Sequence, residues 1–147
     1  MSLELAYPVT LTSDETDGGF VVTFQDVPEA ITQGDDLTGA LANASDALEE
    51  AIAGRIRRGD PIPEPSEAGT GQFILPVPAL TAAKAALYLA LREAGITKSE
   101  LAVRLHCDEK EVRRLLDPTH PSKLPRIQEA LAALGKRLAV RVVDEAA

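Results

Sequence analysis

The stretch Gly19–Ile52, GFVVTFQDVPEAITQGDDLTGALANASDALEEAI, decides the fold of the first half of the chain. At its start Phe20, Val22 and Phe24 occupy alternate positions, which is typical of a β-strand with one buried face. Towards its end apolar residues recur every three or four positions, which indicates an amphipathic helix. Asp36 is placed to cap that helix through its carboxylate. The stretch therefore predicts a strand, an acidic loop and a helix.

The flanking segments supply further strands for the same sheet. Residues 7–11 alternate between apolar and other residues, and Pro8 among them favours an edge or bulged position because proline has no amide N–H. Thr12–Gly18 is a polar segment that predicts a hairpin turn. Ala30–Gln33 is expected to form a short third strand, and Phe73–Val77 a short buried strand of the same sheet.

The second half of the chain predicts helices and one closing strand, which gives an α+β fold overall. Helices are expected from an N-cap at Thr81 to about Ala94, at Lys98–Leu105, at Glu109–Leu116, and over a segment from Leu124 that ends at Gly135. Leu138, Val140 and Val142 alternate in the closing strand. No second strand is expected in residues 81–137, so we predict that the same strand of a twofold partner pairs with it and forms a dimer.

Composition limits the class of protein. The chain has 147 residues, of which 45% are apolar, but only three Phe, two Tyr and no Trp, so its cores are expected to be aliphatic and rich in Ala. The single cysteine, Cys107, has no partner for a disulfide or a zinc site, which favours a reducing compartment. The N-terminus has no basic segment followed by an apolar run, so we expect no signal peptide and a cytoplasmic location.

The net charge of −8 is distributed unevenly. Residues 1–80 carry 14 acidic residues against three Arg, a net charge of −11, whereas residues 81–147 carry nine acidic residues against 12 Lys and Arg, a net charge of +3. This asymmetry predicts two domains whose partners have opposite charge.

Lys98–Leu116 contains the strongest functional signal. Two short helices with apolar facing sides, joined by a turn of roughly three or four residues, have the spacing of a helix-turn-helix motif. In such a motif the first helix packs against the buried side of the second helix, and the exposed side of the second helix enters the major groove of DNA. The candidate DNA-binding residues are Thr97, Lys98, Glu109, Lys110, Arg113 and Arg114. The alternative is a helical bundle without this activity, and the basic balance of this half favours DNA binding.

The acidic loop raises the alternative of a metal-dependent nuclease. Such an enzyme needs several carboxylates that converge on a divalent cation. Asp26, Glu29 and Asp35 are loop residues and Asp36 is a cap, so we predict no metal ligand and no catalytic residue. A docking surface for a basic protein is the favoured interpretation. The two histidines, His106 and His120, and Cys107 are interpreted as structural.

Over nearly its whole length the chain resembles the HicB antitoxin family. The resemblance is carried, in order, by GFVVTFQDVP, TQG, the Ala-rich helix, RGDPIPEPS and FILPVP, followed by the helix-turn-helix pattern and LAALGKRLAVRV. It implies a degenerate RNase H-like domain at residues 1–78 and a DNA-binding and dimerisation domain at residues 79–147. It also implies a partner, the small basic HicA ribonuclease toxin. His106 stands where the turn of the motif usually has glycine.

The hypothesis is therefore an antitoxin that blocks a basic toxin and represses its own operon, without enzyme activity and without a cofactor. Its toxin contacts are expected at Asp26, Glu29, Gln33 and Asp35. The alternative is a stand-alone transcription regulator whose N-terminal domain senses a small molecule. That protein would purify without a tight protein partner, and a nuclease would cleave RNA in the presence of Mg²⁺ or Mn²⁺.

Overall fold

The computed structural model describes residues 2–145, and within them the chain has the predicted α+β class. The strands are β1 (Ala6–Ser13), β2 (Phe20–Thr23), β3 (Ile31–Gly34) and β4 (Phe73–Pro76). The helices are α1 (Leu37–Arg58), α2 (Ala79–Ala94), α3 (Lys98–Leu105), α4 (Glu109–Leu116) and α5 (Leu124–Ala133). The described residues form two compact units. The first comprises residues 2–54, 63–78 and 144–145, and the second residues 55–62 and 79–143.

The sheet of the first unit is antiparallel throughout, with the strand order β3-β2-β1-β4. Strand β1 changes its partner halfway along its length. Its residues Ala6 to Val9 pair with β4, and its residues Thr10 to Ser13 pair with β2. The carbonyl of Leu5 accepts from the amide of Val77 just beyond β4, so the backbone of Pro8, three residues further on, faces away from β4, and its missing N–H removes no bond to that strand. This explains how proline is accommodated in a strand that lies inside the sheet.

The core of the first unit joins one face of the sheet to the apolar stripe of α1. Tyr7, Val9 and Val22 of the sheet are completely buried, and so are Leu48 and Ile52 of the helix. The helix begins where the sequence predicts, because Asp36 Oδ1 accepts a hydrogen bond of 2.7 Å from the amide of Gly39. An aliphatic core of this kind follows from a sequence poor in aromatic residues.

Gly34 allows the end of β3 to run against the first turn of α1. A Cβ atom at this position would overlap the backbone of Ala40. Gly19 is placed in the same way, since a Cβ atom there would overlap the carbonyl oxygen of Gly34, and its φ of 74° also favours glycine. These two glycines let the β1–β2 turn, β3 and α1 approach one another.

The second unit is a bundle in which α2 contacts α4 and α5, and α3 contacts α4 and α5. Its completely buried apolar side chains include Leu87, Leu101, Val112 and Ile127. Residues 55–62, the last turn of α1 and the turn after it, also belong to this unit. The hydroxyl of Tyr88 donates to the carbonyl of Asp60 at 2.7 Å and so anchors this segment to α2.

The structure corrects two expectations. Helix α2 begins at Ala79, so Thr81 is a buried residue inside the helix and not its N-cap. The residue before the helix is Pro78, and the fixed φ of proline suits a helix start. Strand β4 belongs to the predicted sheet, but it is an edge strand with Ile74 56% exposed, so the expectation of a buried strand is wrong.

The segment predicted as a closing strand lies outside any helix or strand. Residues 136–145 have no ladder partner within the described part of the chain. Val140 is 77% exposed and Val142 is 92% exposed, while Leu138 is half-buried. A strand that forms only with a second copy of the chain stays a prediction.

Candidate functional site

Helices α3 and α4 have the predicted boundaries, and both are capped by their own sequence. The hydroxyl of Thr97 accepts from the amide of Glu100, whose carboxylate accepts from the amide of Thr97, which completes a capping box. Asp108 Oδ1 accepts from the amide of Glu111 at 2.9 Å and caps α4. Between the helices His106 adopts the left-handed conformation, with φ of 55°. The short turn is therefore fixed by local chemistry.

The two helices bury one side and expose the other. Leu101 and Ala102 of α3 and Val112, Leu115 and Leu116 of α4 are buried. The opposite side of α4 exposes Lys110, Arg113 and Arg114, and the first turn of α3 exposes Thr97 and Lys98. The structure thus brings the sequence-predicted candidates together on the exposed surface of this helix pair.

Acidic residues of this helix pair are mostly engaged with partners. Glu109 accepts from Ser99 Oγ and from Arg113, each at 2.9 Å, and these hydrogen bonds lower the pKa of its carboxyl. Glu111 accepts from Arg126 Nε at 2.6 Å. Glu109 and Arg113 therefore form an ion pair across one turn of α4.

Burial, reinforced by the charge of Glu111, raises the pKa of the half-buried Cys107 thiol, which therefore remains protonated at neutral pH.

Lys84 holds the C-terminal end of α4, a role that sequence reasoning missed. Its side chain is completely buried, and Nζ donates to the carbonyls of Arg114 and Leu115 at 2.9 and 3.1 Å and to Ser122 Oγ at 2.8 Å. The three protons of an ammonium match these three acceptors, and a cation is favourable at a helix C-terminus. A single lysine within the apolar run TAAKAALYLAL was the available signal.

Replacement of Lys84 is expected to change how stability depends on pH. Burial lowers the pKa of Lys84 to about 8, an effect partly offset by Asp117. Between about pH 8 and the ordinary lysine value of 10.5, the unfolded chain binds the proton more tightly than the folded chain does. The contribution of this group to the free energy of unfolding therefore rises with pH in that window.

From pH 7.5 to pH 10 we expect the free energy of unfolding of the natural protein to rise relative to that of Lys84→Met. Urea unfolding of both proteins across this range, in which Lys84 titrates, measures the difference. The exposed Lys123 supplies the control, because Lys123→Met removes a lysine without this burial. A difference that stays constant with pH would show that Lys84 does not titrate as inferred.

Asp26, one of the predicted toxin contacts, has a partner within the same unit. Its carboxylate accepts from the amide of Ser66 at 2.8 Å and from the hydroxyl of Ser66 at 2.5 Å. These two bonds fix the proline-rich segment that leads to β4. Asp26 therefore anchors a loop, and the 40-residue separation of the two partners explains why the sequence did not reveal this.

The other three predicted contacts follow the edge strand β3. Ile31 and Gln33 are exposed in the strand, with Ile31 63% exposed, and Glu29 and Asp35 flank it at the same two-residue spacing. The carbonyl of Gln33 accepts from the side-chain amide of Asn43 at 2.8 Å. Among residues 2–145, β3 pairs with β2 alone, so it is an edge strand whose outer side carries acidic side chains and backbone groups, one of which is bonded to Asn43.

The difference in net charge is larger between the two units than between the two halves of the sequence. The first unit contains 15 Asp and Glu residues and no Lys or Arg, a formal charge of −15. The second contains all 15 Lys and Arg residues with eight Asp and Glu, a formal charge of +7. The reason is that Arg55, Arg57 and Arg58, the only cations of the first half of the sequence, lie in the segment that belongs to the second unit.

Residues 2–145 contain neither a cluster of metal-binding side chains nor a helix suited to cross a membrane. No group of three or more His, Cys, Asp or Glu side chains is arranged to hold a metal ion in this part of the chain. Among the same residues, no helix combines the length and apolar character that a membrane crossing requires.

Comparison with known proteins identifies the family. Residues 6–86 match the family model of the HicB_like antitoxin of bacterial toxin-antitoxin systems. Antitoxin HicB of Escherichia coli (strain K12) is 37% identical over 139 residues, which cover 95% of this chain and the whole of that protein. The chain belongs to the HicB-like antitoxin family. Antitoxin HicB 2 of Photorhabdus laumondii is 39% identical and covers 94% of the chain, or 96% of its own length. Antitoxin HicB of Pseudomonas fluorescens (strain Pf0-1) is 38% identical over 87% of the chain and 88% of its own length.

These matches bear on both units of this HicB-like antitoxin. The family model spans the four strands, α1 and the first half of α2. The Escherichia coli relative aligns with nearly the whole chain, so the similarity extends into the bundle that contains α3 and α4. The protein is thus an antitoxin of a bacterial toxin-antitoxin system, and the resemblance inferred from its motifs is confirmed.

Proposed function

We propose that this antitoxin binds and blocks a small basic HicA-type ribonuclease through residues 1–78 and represses its own operon through residues 79–147. The observation that carries the proposal is the separation of charge between the units, −15 against +7, in a chain of this family. The protein acts by binding and not by catalysis. In the first unit, the antiparallel meander β1-β2-β3 followed by α1 supports a degenerate RNase H-like fold.

The toxin is proposed to dock along the edge strand β3. Glu29, Gln33 and Asp35 lie at or beside that edge, and all three are exposed. A basic ribonuclease would be attracted by the acidic unit as a whole and fixed by these groups at short range. Asp26 is proposed to contribute indirectly, since its bonds to Ser66 hold the connection between β2 and β3 in which it lies.

Charge reversal at the edge of β3 tests this docking site. Glu29→Lys combined with Asp35→Lys is expected to weaken toxin binding by on the order of 100-fold, because like charges placed opposite one another cost several kcal/mol. The measurement is binding of the purified toxin encoded beside the antitoxin gene, together with rescue of growth in cells that express that toxin.

A matched control is Glu64→Lys with Glu67→Lys, two exposed residues of the same unit in the segment that leads to β4, the strand at the other edge of the sheet. It changes the net charge equally but leaves the edge intact, so we expect slower association at low salt with most of the affinity retained. An equal loss of toxin affinity in the two variants would refute the location of the docking site at β3. A neighbouring gene that encodes no small basic protein would argue against a HicA-type partner.

For the second unit we propose that α3 and α4 form a helix-turn-helix motif that binds operator DNA. The capped helices, their short turn and the buried Ala102 support this assignment. In the proposed complex Lys110, Arg113 and Arg114 face base edges and nearby phosphates. Thr97, Lys98 and Glu109 orient the helix pair on the backbone, with Glu109 acting through Arg113.

The C-terminal segment is proposed to supply dimerisation. Val140 and Val142 are exposed in the single chain, and no described residue pairs with their backbone. Pairing of Leu138, Val140 and Val142 with the same strand of a second copy would bury these side chains and satisfy the backbone. A twofold dimer would present two α4 helices to a palindromic operator. The rival function, a ligand-sensing regulator, predicts the same DNA binding but no toxin complex.

A further inference from the structure

A basic groove crosses the second unit beside the proposed DNA-reading helix. It is an open cavity of about 530 Å³. Its cationic lining residues are Arg57, Arg58, Arg92, Lys98 and Arg113, and among the described residues Asp117 is the one acidic side chain that lines it. The cations come from the last turn of α1, from α2, from α3 and from α4. Four elements thus converge to place positive charge around one cavity.

The arginines at the end of α1 are held at the groove by a fixed set of contacts. Arg92 donates to the carbonyl of Gly59 at 2.9 Å and to Tyr88 Oη at 2.7 Å, and its guanidinium lies 5.2 Å from the centroid of the Tyr88 ring. Tyr88 in turn donates to the carbonyl of Asp60. These bonds fix the turn that follows Arg57 and Arg58, so the last turn of α1 is held in the same unit as α3 and α4.

Acidic neighbours neutralise only part of this charge. Arg58 pairs with Asp60 at 2.8 Å, but both side chains are about half exposed, and an exposed pair of this kind contributes little and exchanges readily with a stronger anion. Arg113 pairs with Glu109 at 2.9 Å, also on the exposed surface, and Asp117 accepts from the amide and the hydroxyl of Thr119 and keeps its charge. Asp60, Glu109 and Asp117 thus oppose five cations, which leaves the groove with net positive charge. An extended polyanion is the class of ligand that suits several arginines and a lysine along an open groove.

We propose that this groove binds the sugar-phosphate backbone of operator DNA, with Arg57 and Arg58 as contacts outside the helix-turn-helix motif. The proposal rests on the DNA binding proposed for α3 and α4. Lys98 and Arg113 line the groove and also belong to the helix pair, which makes the groove continuous with the reading surface. The backbone contacts add affinity for any sequence, whereas α4 supplies the discrimination between sequences.

The test compares full-length Arg57→Gln/Arg58→Gln with Lys123→Gln/Lys136→Gln, a control that removes two cations of the same unit outside the groove. The probes are a DNA duplex from the region upstream of the operon that encodes this antitoxin and a scrambled duplex of equal length. For the groove variant we expect both affinities to fall by a similar factor, on the order of 10-fold or more near 0.1 M salt. The slope of log K against log salt should become shallower by about 2 per protomer.

The possible outcomes separate this proposal from the one on which it rests. If the natural protein binds the upstream duplex and the groove variant matches the control in affinity and salt slope, the groove proposal is wrong and the helix-turn-helix assignment stands. If the natural protein binds neither duplex, both are wrong. If the groove variant instead loses its oligomeric state on light scattering with an unchanged salt slope, the groove binds an acidic segment of a second copy, which also overturns the proposal. Thermal unfolding of both variants verifies that they are folded.

Discussion

Truncation after Gly135 is expected to produce a folded monomer that has lost operator binding. Helix α5 ends at Ala133, and residues 136–145 contribute no helix or strand within the described chain, so the bundle keeps its core. Loss of the second α4 helix removes the gain from binding two half-sites at once, which is typically 10²- to 10⁴-fold. Operator affinity should fall by about 100-fold or more, as measured by light scattering and by titration of the operator duplex.

The truncation also removes three cations, Lys136, Arg137 and Arg141, and this requires a control. A full-length variant with all three changed to Gln keeps the apolar residues of the segment, so it should remain a dimer with a smaller loss of DNA affinity. Toxin binding should persist in both proteins, because the proposed site lies in the other unit. A truncated protein that stays dimeric and binds operator normally would rule out dimerisation through this segment.

The second large effect is expected for Arg113→Ala combined with Arg114→Ala. A bidentate contact to a base is worth about 1–3 kcal/mol, and a phosphate contact less, so operator affinity should fall by roughly 10- to 100-fold. Unlike the groove variant, this variant should lose more affinity for operator than for scrambled DNA. Both side chains are exposed and α4 is capped by Asp108, so the fold should be kept.

Toxin neutralisation distinguishes a specific effect from a general one. It should be unchanged in the double variant, while Lys123→Ala with Lys136→Ala serves as the charge-matched control for DNA binding. Simultaneous loss of operator binding and toxin neutralisation would contradict the assignment, since it would indicate misfolding or one surface used for both partners.

Elements whose boundaries depend on local chemistry could be predicted from the sequence. Helices α3 and α4 begin where predicted because Thr97 and Asp108 satisfy amides within their own first turns. Helix α1 follows its cap at Asp36 in the same way. The hairpin and the strand alternation need only neighbouring residues, so β1, β2 and β3 were also found.

Features that depend on residues distant in the sequence could not be predicted. Thr81 looked like a cap, but its burial in the bundle places it inside α2. Lys84 acts on α4 and on Ser122, 30 to 38 residues away, and Asp26 acts on Ser66. The candidate site was therefore predicted as a set of exposed charges. The groups that hold those charges in place required the structure.

The close approach at Gly34 limits how this surface can diversify. Gly19 and Gly34 are only partly buried, yet a side chain at either position would overlap backbone atoms. A flexible side chain could move aside, but the backbone here cannot. Exchange of the neighbouring Gln33 or Asp35 meets no such obstacle. At the proposed toxin-docking edge, specificity can therefore be changed through the residues beside the two glycines, while the glycines themselves must be retained.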